Sequence, residues 1–415
     1  MLALRLGFQC IFLVFCLTNA PFPVSGNIQT KLKYFETLKA ADIHVITKRS
    51  IDTNPQAHLK FVNLKGLGRD FSFYLQTSPS ILTSDFKAVT VDAYGRKTPI
   101  SVNKNSFYSG ALRDEPNSHV EATWENDNLL ATISVPNEIY TVEPAWRHLP
   151  YSTNHSMIIY KASDVIKSFK NSRNQHHRIC GFKRGVTVSE KEYEDSLAES
   201  AYYRTSGSEN RSSAAFYQHE YHQSKRRSKR YTKKVHNTCE LMVVADYKFY
   251  SGVGNKDLLN TANYLIHILR KVDTIYRTTL WDEKAGLINY GIKIKYMSIH
   301  REYSNHAQDY NYNKTWEITP LLQAFSRKLE FNKYCLAHLF TYQKFNDGVL
   351  GLAYIASSRR NTYGGICSPL YRKQTSFGVD ILSLNTGWSS SMNTYGARIL
   401  TQEADLVTAH GQYKQ

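Results

Sequence analysis

The residues of this chain that most suggest chemistry lie close to its C-terminus. Glu403-Ala404-Asp405-Leu406-Val407-Thr408-Ala409-His410 reads as a helical stretch with an apolar face that ends in an imidazole. In the pattern H-E-x-x-H, two histidines one turn apart bind zinc and the glutamate between them serves as general base. His410 takes the first ligand position, but Gly411 stands where the glutamate belongs and Lys414 where the second histidine belongs. Glycine has no side chain to accept a proton, and an ammonium is a poor zinc ligand at neutral pH. One imidazole cannot assemble a four-coordinate metal site, and a lone helical histidine is more often a surface or packing residue than a ligand. The expectation is one zinc-ligand position, His410, and no catalytic residue, in a chain broken off at the start of a zinc helix.

Two further features carry chemistry of their own. Seven of the ten residues 225–234 are Lys or Arg. Within that strip Arg227-Ser228-Lys229-Arg230 matches the R-x-[KR]-R pattern cut by proprotein convertases, with the scissile bond before Tyr231. The stretch 205–224 ahead of it is polar and Ser-rich, a composition that cannot bury enough surface to order itself and that proteases reach easily. The bland readings are a solvated charge run or a heparin patch. Cys180, in Arg178-Ile179-Cys180-Gly181-Phe182-Lys183, is the other feature. A thiolate can take the open position of a zinc ion and keep water out; the competing roles are a small packing residue or a disulfide partner.

The N-terminus bounds the compartment. Arg5, the apolar run Leu6–Leu17 and the small-residue site Thr18-Asn19-Ala20 read as a signal peptide over 1–20. Its apolar core is shorter than the roughly 20 residues of a membrane span, though an uncleaved anchor is the competing reading. A secretory route argues against nucleic acid as the partner of a chain with net charge +17. Cys180, Cys239, Cys335 and Cys367 remain after the signal peptide, and composition leaves all three full pairings open. Asn154, Asn210 and Asn313 open N-x-S/T sequons.

The elements that must position these residues fall into two parts. Residues 27–200 look β-rich: Ala131-Thr132-Ile133-Ser134-Val135 alternates with period two, a Pro136-Asn137 turn leads to Ile139–Val142, and Phe71–Leu75 is a further strand. Residues 201–230 form the linker, and 231–415 alternate strands and helices. Leu241–Ala245 is an unbroken apolar run, as in a strand buried on both faces. Leu265, Ile268, Leu269, Val272, Ile275 and Tyr276 recur at helical spacing. Leu321, Leu322, Phe325 and Leu329 mark a second helix with Pro320 in its first turn, and Ala337–Thr341 and Leu352–Ile355 are strands. This order predicts an α/β domain with a mostly parallel sheet.

Several segments now carry a resemblance. Asn237-Thr238-Cys239-Glu240-Leu241-Met242-Val243-Val244-Ala245-Asp246, Cys335–Gln343, Gly351-Leu352-Ala353-Tyr354, Gly364-Gly365-Ile366-Cys367 and Glu403–His410 resemble the disintegrin-and-metalloprotease family. The likeness is strongest to its tumour-necrosis-factor-α-converting enzyme branch, and Tyr140–Arg147 is similar to that branch's prodomain. The resemblance implies a secretory zymogen: a β-rich prodomain over 27–200, an incomplete α/β metzincin domain over 231–415, and removal of the prodomain by a convertase. It implies a zinc-dependent endopeptidase that sheds membrane-anchored proteins, with zinc on three histidines, of which only His410 carries over. The third would fall beyond Gln415, so stable zinc is not expected. The alternative is a secreted, non-catalytic binding protein or inhibitor of a related protease. The resemblance also implies that Cys180 derives from a cysteine switch and that Cys239 pairs with Cys335, leaving Cys367 without its partner. It makes Gly351–Tyr354 the edge strand along which substrate lies. Read from the residues alone, that fragment is an ordinary edge strand.

Overall fold

The computed structural model describes residues 28–49, 58–78, 81–125, 128–149, 157–166, 180–184, 186–189, 191–193, 195–197, 200, 237–280, 288–345, 349–355, 361–376 and 378–390. The signal peptide, Asn154, Asn210, the convertase pattern with Arg227, Lys229, Arg230 and Tyr231, and His410 with Gly411 lie outside them.

In chain order the N-terminal half carries β1 (Glu36–Leu38), β2 (His44–Arg49), β3 (His58–Gly66), β4 (Arg69–Thr77), β5 (Leu82–Val91), β6 (Lys97–Ile100), β7 (Phe107–Leu112), β8 (His119–Glu125), β9 (Asn128–Val135), β10 (Glu138–Pro144), β11 (Met157–Lys161), β12 (Cys180–Arg184) and β13 (Val186–Thr187). The C-terminal half follows with β14 (Thr238–Ala245), α1 (Tyr247–Gly252), α2 (Leu258–Thr278), β15 (Gly291–His300), α3 (Ile318–Ser326), β16 (Leu336–Thr341), β17 (Gly351–Ile355), β18 (Thr362–Tyr363), β19 (Leu370–Thr375), β20 (Gly378–Ser383) and β21 (Thr386–Ser390).

Two large sheets result. Nine strands in the order β1-β11-β10-β9-β8-β7-β4-β3-β2 form one, and every pairing in it is antiparallel. The hairpin expected around Pro136-Asn137 is β9–β10, with Val135 opposite Glu138. The other sheet has eight strands, ordered β12-β17-β21-β16-β14-β15-β5-β6. A mostly parallel sheet therefore does not describe the molecule as a whole, because the larger sheet is antiparallel. In the eight-stranded sheet five contacts run parallel, while β17–β21 and β5–β6 run antiparallel.

The apolar run Leu241–Ala245 shows why this second sheet is buried on both faces. Side chains alternate across a strand, so Leu241, Val243 and Ala245 enter one apolar cluster while Met242 and Val244 enter another. The first cluster lies under α2. That helix starts where the Asp257 carboxylate accepts a hydrogen bond from the Asn260 amide at 2.7 Å, and it buries Leu265, Ile268, Leu269, Val272 and Tyr276. The second cluster gathers Leu321, Leu322 and Phe325 of α3 around Trp388. Helix α3 ends at Ser326, so Leu329 falls in a separate 3-10 turn, Leu329–Lys333, rather than on the same helix. No helix among the described residues is long and apolar enough to cross a membrane.

The two halves share a core. Ile81, Leu82, Ala88, Phe107 and Leu130, all from the N-terminal half, sit in the same cluster as α2 and β14. Polar groups cross the same boundary. Glu121 on β8 pairs with Arg270 on α2 at 2.5 Å, and Thr132 Oγ1 meets His267 Nε2 at 3.2 Å. The Arg147 guanidinium pairs with Glu125 at 2.5 Å, donates to the Val253 carbonyl at 3.4 Å and lies over the Tyr264 ring. Burial and the neighbouring Lys271, Arg270 and Arg147 cations hold His267 neutral, well below the usual imidazole range. Burial alone would raise the Glu143 carboxyl, but His148, Arg147 and the Tyr160 hydroxyl outweigh it and hold it down to about 2.

Candidate functional site: an occupied sheet edge

Gly351-Leu352-Ala353-Tyr354 forms most of β17, and β17 is not an edge. On its inner side it pairs antiparallel with β21, Leu352 opposite Trp388 and Ala353 opposite Gly387. A side chain at Gly387 would not fit there: a Cβ would lie 2.8 Å from the Ala353 Cβ. On its outer side β17 carries β12, parallel, from Cys180 opposite Gly351 to Arg184 opposite Ile355. The strand that opens with Cys180 thus lies along the segment expected to receive a substrate.

The chain that follows β12 stays on the same surface. β13 pairs antiparallel with β18, Val186 opposite Tyr363, and Val188 N–H donates to the Asn361 carbonyl at 3.0 Å. The Ser196 hydroxyl meets the Tyr363 hydroxyl at 2.6 Å, and the Tyr193 ring stands edge-on to Tyr363. Ser200 accepts from the Leu370 amide at 2.9 Å, and its carbonyl accepts from Asn332. Val186, Val188 and Tyr193 pack against the cluster around Trp388. The segment 180–200 is therefore seated on the C-terminal half by main-chain pairing, side-chain hydrogen bonds and apolar contact together.

The remaining expected site residues separate into those the fold places and those outside it. Cys239 and Cys335 are joined in a disulfide, their Cα atoms 5.4 Å apart. It ties β14 to the entry of β16, where Cys335 N–H also donates to the Glu240 carbonyl at 2.9 Å. Cys367 is exposed and outside that bridge, its N–H donating to the Cys335 carbonyl at 2.7 Å. Asn313 is exposed. Among the described residues no group of three His, Cys, Asp or Glu side chains could hold a metal ion. His338 lies beside the Ser389 hydroxyl at 3.0 Å, and burial lowers it to about 4, so it is neutral at pH 7.

Sequence reasoning missed β12 and β13 as elements and missed Thr362, Tyr363 and Ser196 as the residues that seat them. The segments are short, and β18 is only two residues long.

Residues 235–411 match the reprolysin model of metallo-peptidase family M12. A disintegrin and metalloproteinase domain-containing protein 10 homolog of Caenorhabditis elegans is 25% identical over 439 residues, covering 96% of this chain and 45% of the relative. The human protein 10 is 25% identical over 83% of this chain and 42% of its own length. The chain is thus related in sequence to the disintegrin-and-metalloproteinase family. A protein 17 homolog of C. elegans is 30% identical over 42% of this chain and 27% of its own length. The chain thus spans less than half the length of these family members, and the matches do not single out the converting-enzyme branch within the family. A solved metalloproteinase-II from Bacteroides fragilis aligns over 87% of this chain and 79% of its own at 8% identity, with a TM-score of 0.33, too low to speak for the fold. Family M12 implies zinc in its intact members.

Proposed function

We propose that the chain has the design of a zinc-metalloendopeptidase zymogen of the sheddase type, with residues 27–200 as prodomain, 201–230 as processed linker and the C-terminal half as protease-type domain. The observation that carries this reading is the pairing of β12 with β17. A peptide substrate that adds to a sheet edge needs that edge's free N–H and C=O groups. β12 already satisfies them, so a substrate cannot enter before β12 leaves. This latency acts by occupancy, whatever the Cys180 thiol does.

We further propose that these 415 residues do not themselves cut peptides. The donor set at 410–414 is one imidazole, a glycine and a lysine, which does not fit a three-histidine zinc site, and Gly411 offers no base to take a proton from water. His410 alone would bind zinc weakly. The secretory route, the membrane-anchored substrates and the glycans on Asn154, Asn210 and Asn313 belong to the same reading. A second reading, a non-catalytic binding protein or inhibitor of a related protease, draws on the same β12 segment.

Two assays test the proposal. A furin-type convertase added to the purified chain should cut between Arg230 and Tyr231. Incubation with a membrane-stalk peptide should yield no cleavage that a chelator abolishes; chelator-sensitive turnover would refute the statement about activity. Replacing both Phe182 and Lys183 by Pro removes whichever main-chain N–H faces β17. That variant should open the 351–355 segment to amide exchange, and unchanged exchange would refute occupancy.

A further inference from the structure

The other end of the eight-stranded sheet is also closed by the N-terminal half, and nothing in the latency reading requires it. β5 adds in parallel to the outer side of β15: Leu82 lies opposite Ile294 and, past a register shift, Lys87–Val91 lie opposite Tyr296–His300. Six strand steps separate β5 from β12, about 29 Å at the usual strand spacing. The two contacts are therefore distinct.

Main-chain geometry shows that β5 and β6 form a purpose-fitted cover. Ile294 N–H donates to the Ile81 carbonyl at 2.9 Å, and Arg301 N–H to the Val91 carbonyl at 3.0 Å. Alternation along a strand then turns the polar groups of Val89, like those of Val91, towards β15. Thr90 and Ala88 face β6, where they oppose Thr98 and Ile100. The Asp92 N–H bond to the Arg96 carbonyl at 3.2 Å fits the same phase. Pro99, opposite Val89, consequently turns its nitrogen to solvent, where a missing N–H costs nothing. β6 is four residues long with Lys97, Thr98 and Pro99 exposed. A short edge with Pro and Lys is how sheets avoid unwanted pairing. The hairpin covers the outer edge of β15 at Ile294 and Tyr296–His300 and leaves a blunt edge in its place.

Side chains fasten it. Lys97 pairs with Glu330 at 2.8 Å, and Lys295 lies between Glu240 at 2.7 Å and Asp85 at 3.7 Å. The Ala93 amide donates to Glu302 at 3.1 Å, and its carbonyl accepts from the Asn305 amide at 3.2 Å. Leu82 and Ala88 enter the α2 cluster with Ile292 and Ile299.

We propose that the outer edge of β15 is a second strand-docking site, separate from β17, whose occupant is the hairpin 82–100, and that it keeps the N-terminal segment attached after the linker is cut. The proposal rests on the reading of 201–230 as a processed linker. Docking at the β15 edge adds to the contacts at β17 and in the shared core, and on one body each added contact makes release of another an intramolecular event, which raises retention by roughly a hundredfold or more over the other contacts alone.

The test uses the full chain, cut in the basic strip by a furin-type convertase and then diluted to nanomolar concentration. Release of the N-terminal fragment is followed by size-exclusion chromatography, and amide exchange is read over 292–301. The expected result is co-elution with 292–301 still protected. Val89→Pro, which removes an N–H facing β15, should speed release roughly a hundredfold. Should that variant fail to fold, Lys97→Glu should speed release about threefold, as expected of an exposed ion pair, and Lys97→Glu with Glu330→Lys should restore it. Immediate release of the fragment from the cut chain, or retention with 292–301 unprotected, would overturn the proposal. If the convertase does not cut, limited trypsin at the same lysines and arginines produces the same nick. Retention there sustains the docking site while the processing reading falls.

Discussion

The two ends of the eight-stranded sheet are covered by the same half of the chain in different ways. At β17 the cover is five residues, Cys180–Arg184, with β13 and the Ser196 and Tyr193 contacts behind it. At β15 the cover is a hairpin whose first strand pairs through Leu82 and Lys87–Val91 and whose apolar side chains join the core under α2. A short strand whose following residues pack only at the margin of a cluster opens at lower free energy than one whose side chains lie within the core. On the proposed reading, occupancy and anchoring are divided, with β12 blocking the β17 edge and β5–β6 holding the N-terminal half.

Substitutions separate the two covers. The largest effect should come from the centre, which serves both ends equally. Replacing Cys239 and Cys335 by Ala removes a bridge across 96 residues and should cost about 4 kcal/mol in the chain-entropy model, seen as a lower denaturant midpoint and faster exchange at both β15 and β17. Phe107→Ala hollows the shared core on the β15 side and should cost about 3 kcal/mol. Its mark on the comparison is uneven: exchange should rise over 292–301 and stay nearly unchanged over 351–355.

Glu121→Gln leaves the buried Arg270 guanidinium without its carboxylate and should cost about 3 kcal/mol, again loosening the α2 side first. Acid supplies a graded version. Glu143 titrates from its ordinary 4.5 down to about 2 in the folded chain. A depressed carboxyl contributes stability that is full above its unfolded value and lost as pH falls through the folded one. Stability should therefore decline between pH 4.5 and 2, and Glu143→Gln should flatten that decline in acid-titration curves followed by tryptophan fluorescence. Smallest of all, Asn313→Gln should change the midpoint by less than about 0.5 kcal/mol, since Asn313 is exposed. A drop in mass of one glycan on the secreted chain would show the sequon in use.

Much of the local structure was legible in the sequence. The helical spacing of Leu265 to Tyr276 lies on α2, Ala337–Thr341 lies in β16, and the Pro136-Asn137 turn joins β9 to β10. These features depend on neighbours in sequence, which periodicity reports. Pairing partners are another matter. Nothing in Leu82–Val91 announces that it will leave its own sheet and add to β15 some 200 residues away, because alternation names a buried face and not a neighbour. The same gap explains β17. Gly351–Tyr354 was read as an edge, which its pairing with β21 would make it, but the occupant came from Cys180–Arg184, a segment singled out only for its thiol. Leu329 continued a helical spacing that α3 does not follow past Ser326.

Amide exchange over 351–353 in the intact chain is the most direct test of whether β12 occupies the β17 edge. Alternate amides of β17 face β21 and β12, so coverage on both sides over 351–353 predicts slow exchange there, and release of β12 by the paired prolines at 182 and 183 predicts that only the outward set speeds up. An intact chain in which that outward set already exchanges as fast as an open loop would contradict it.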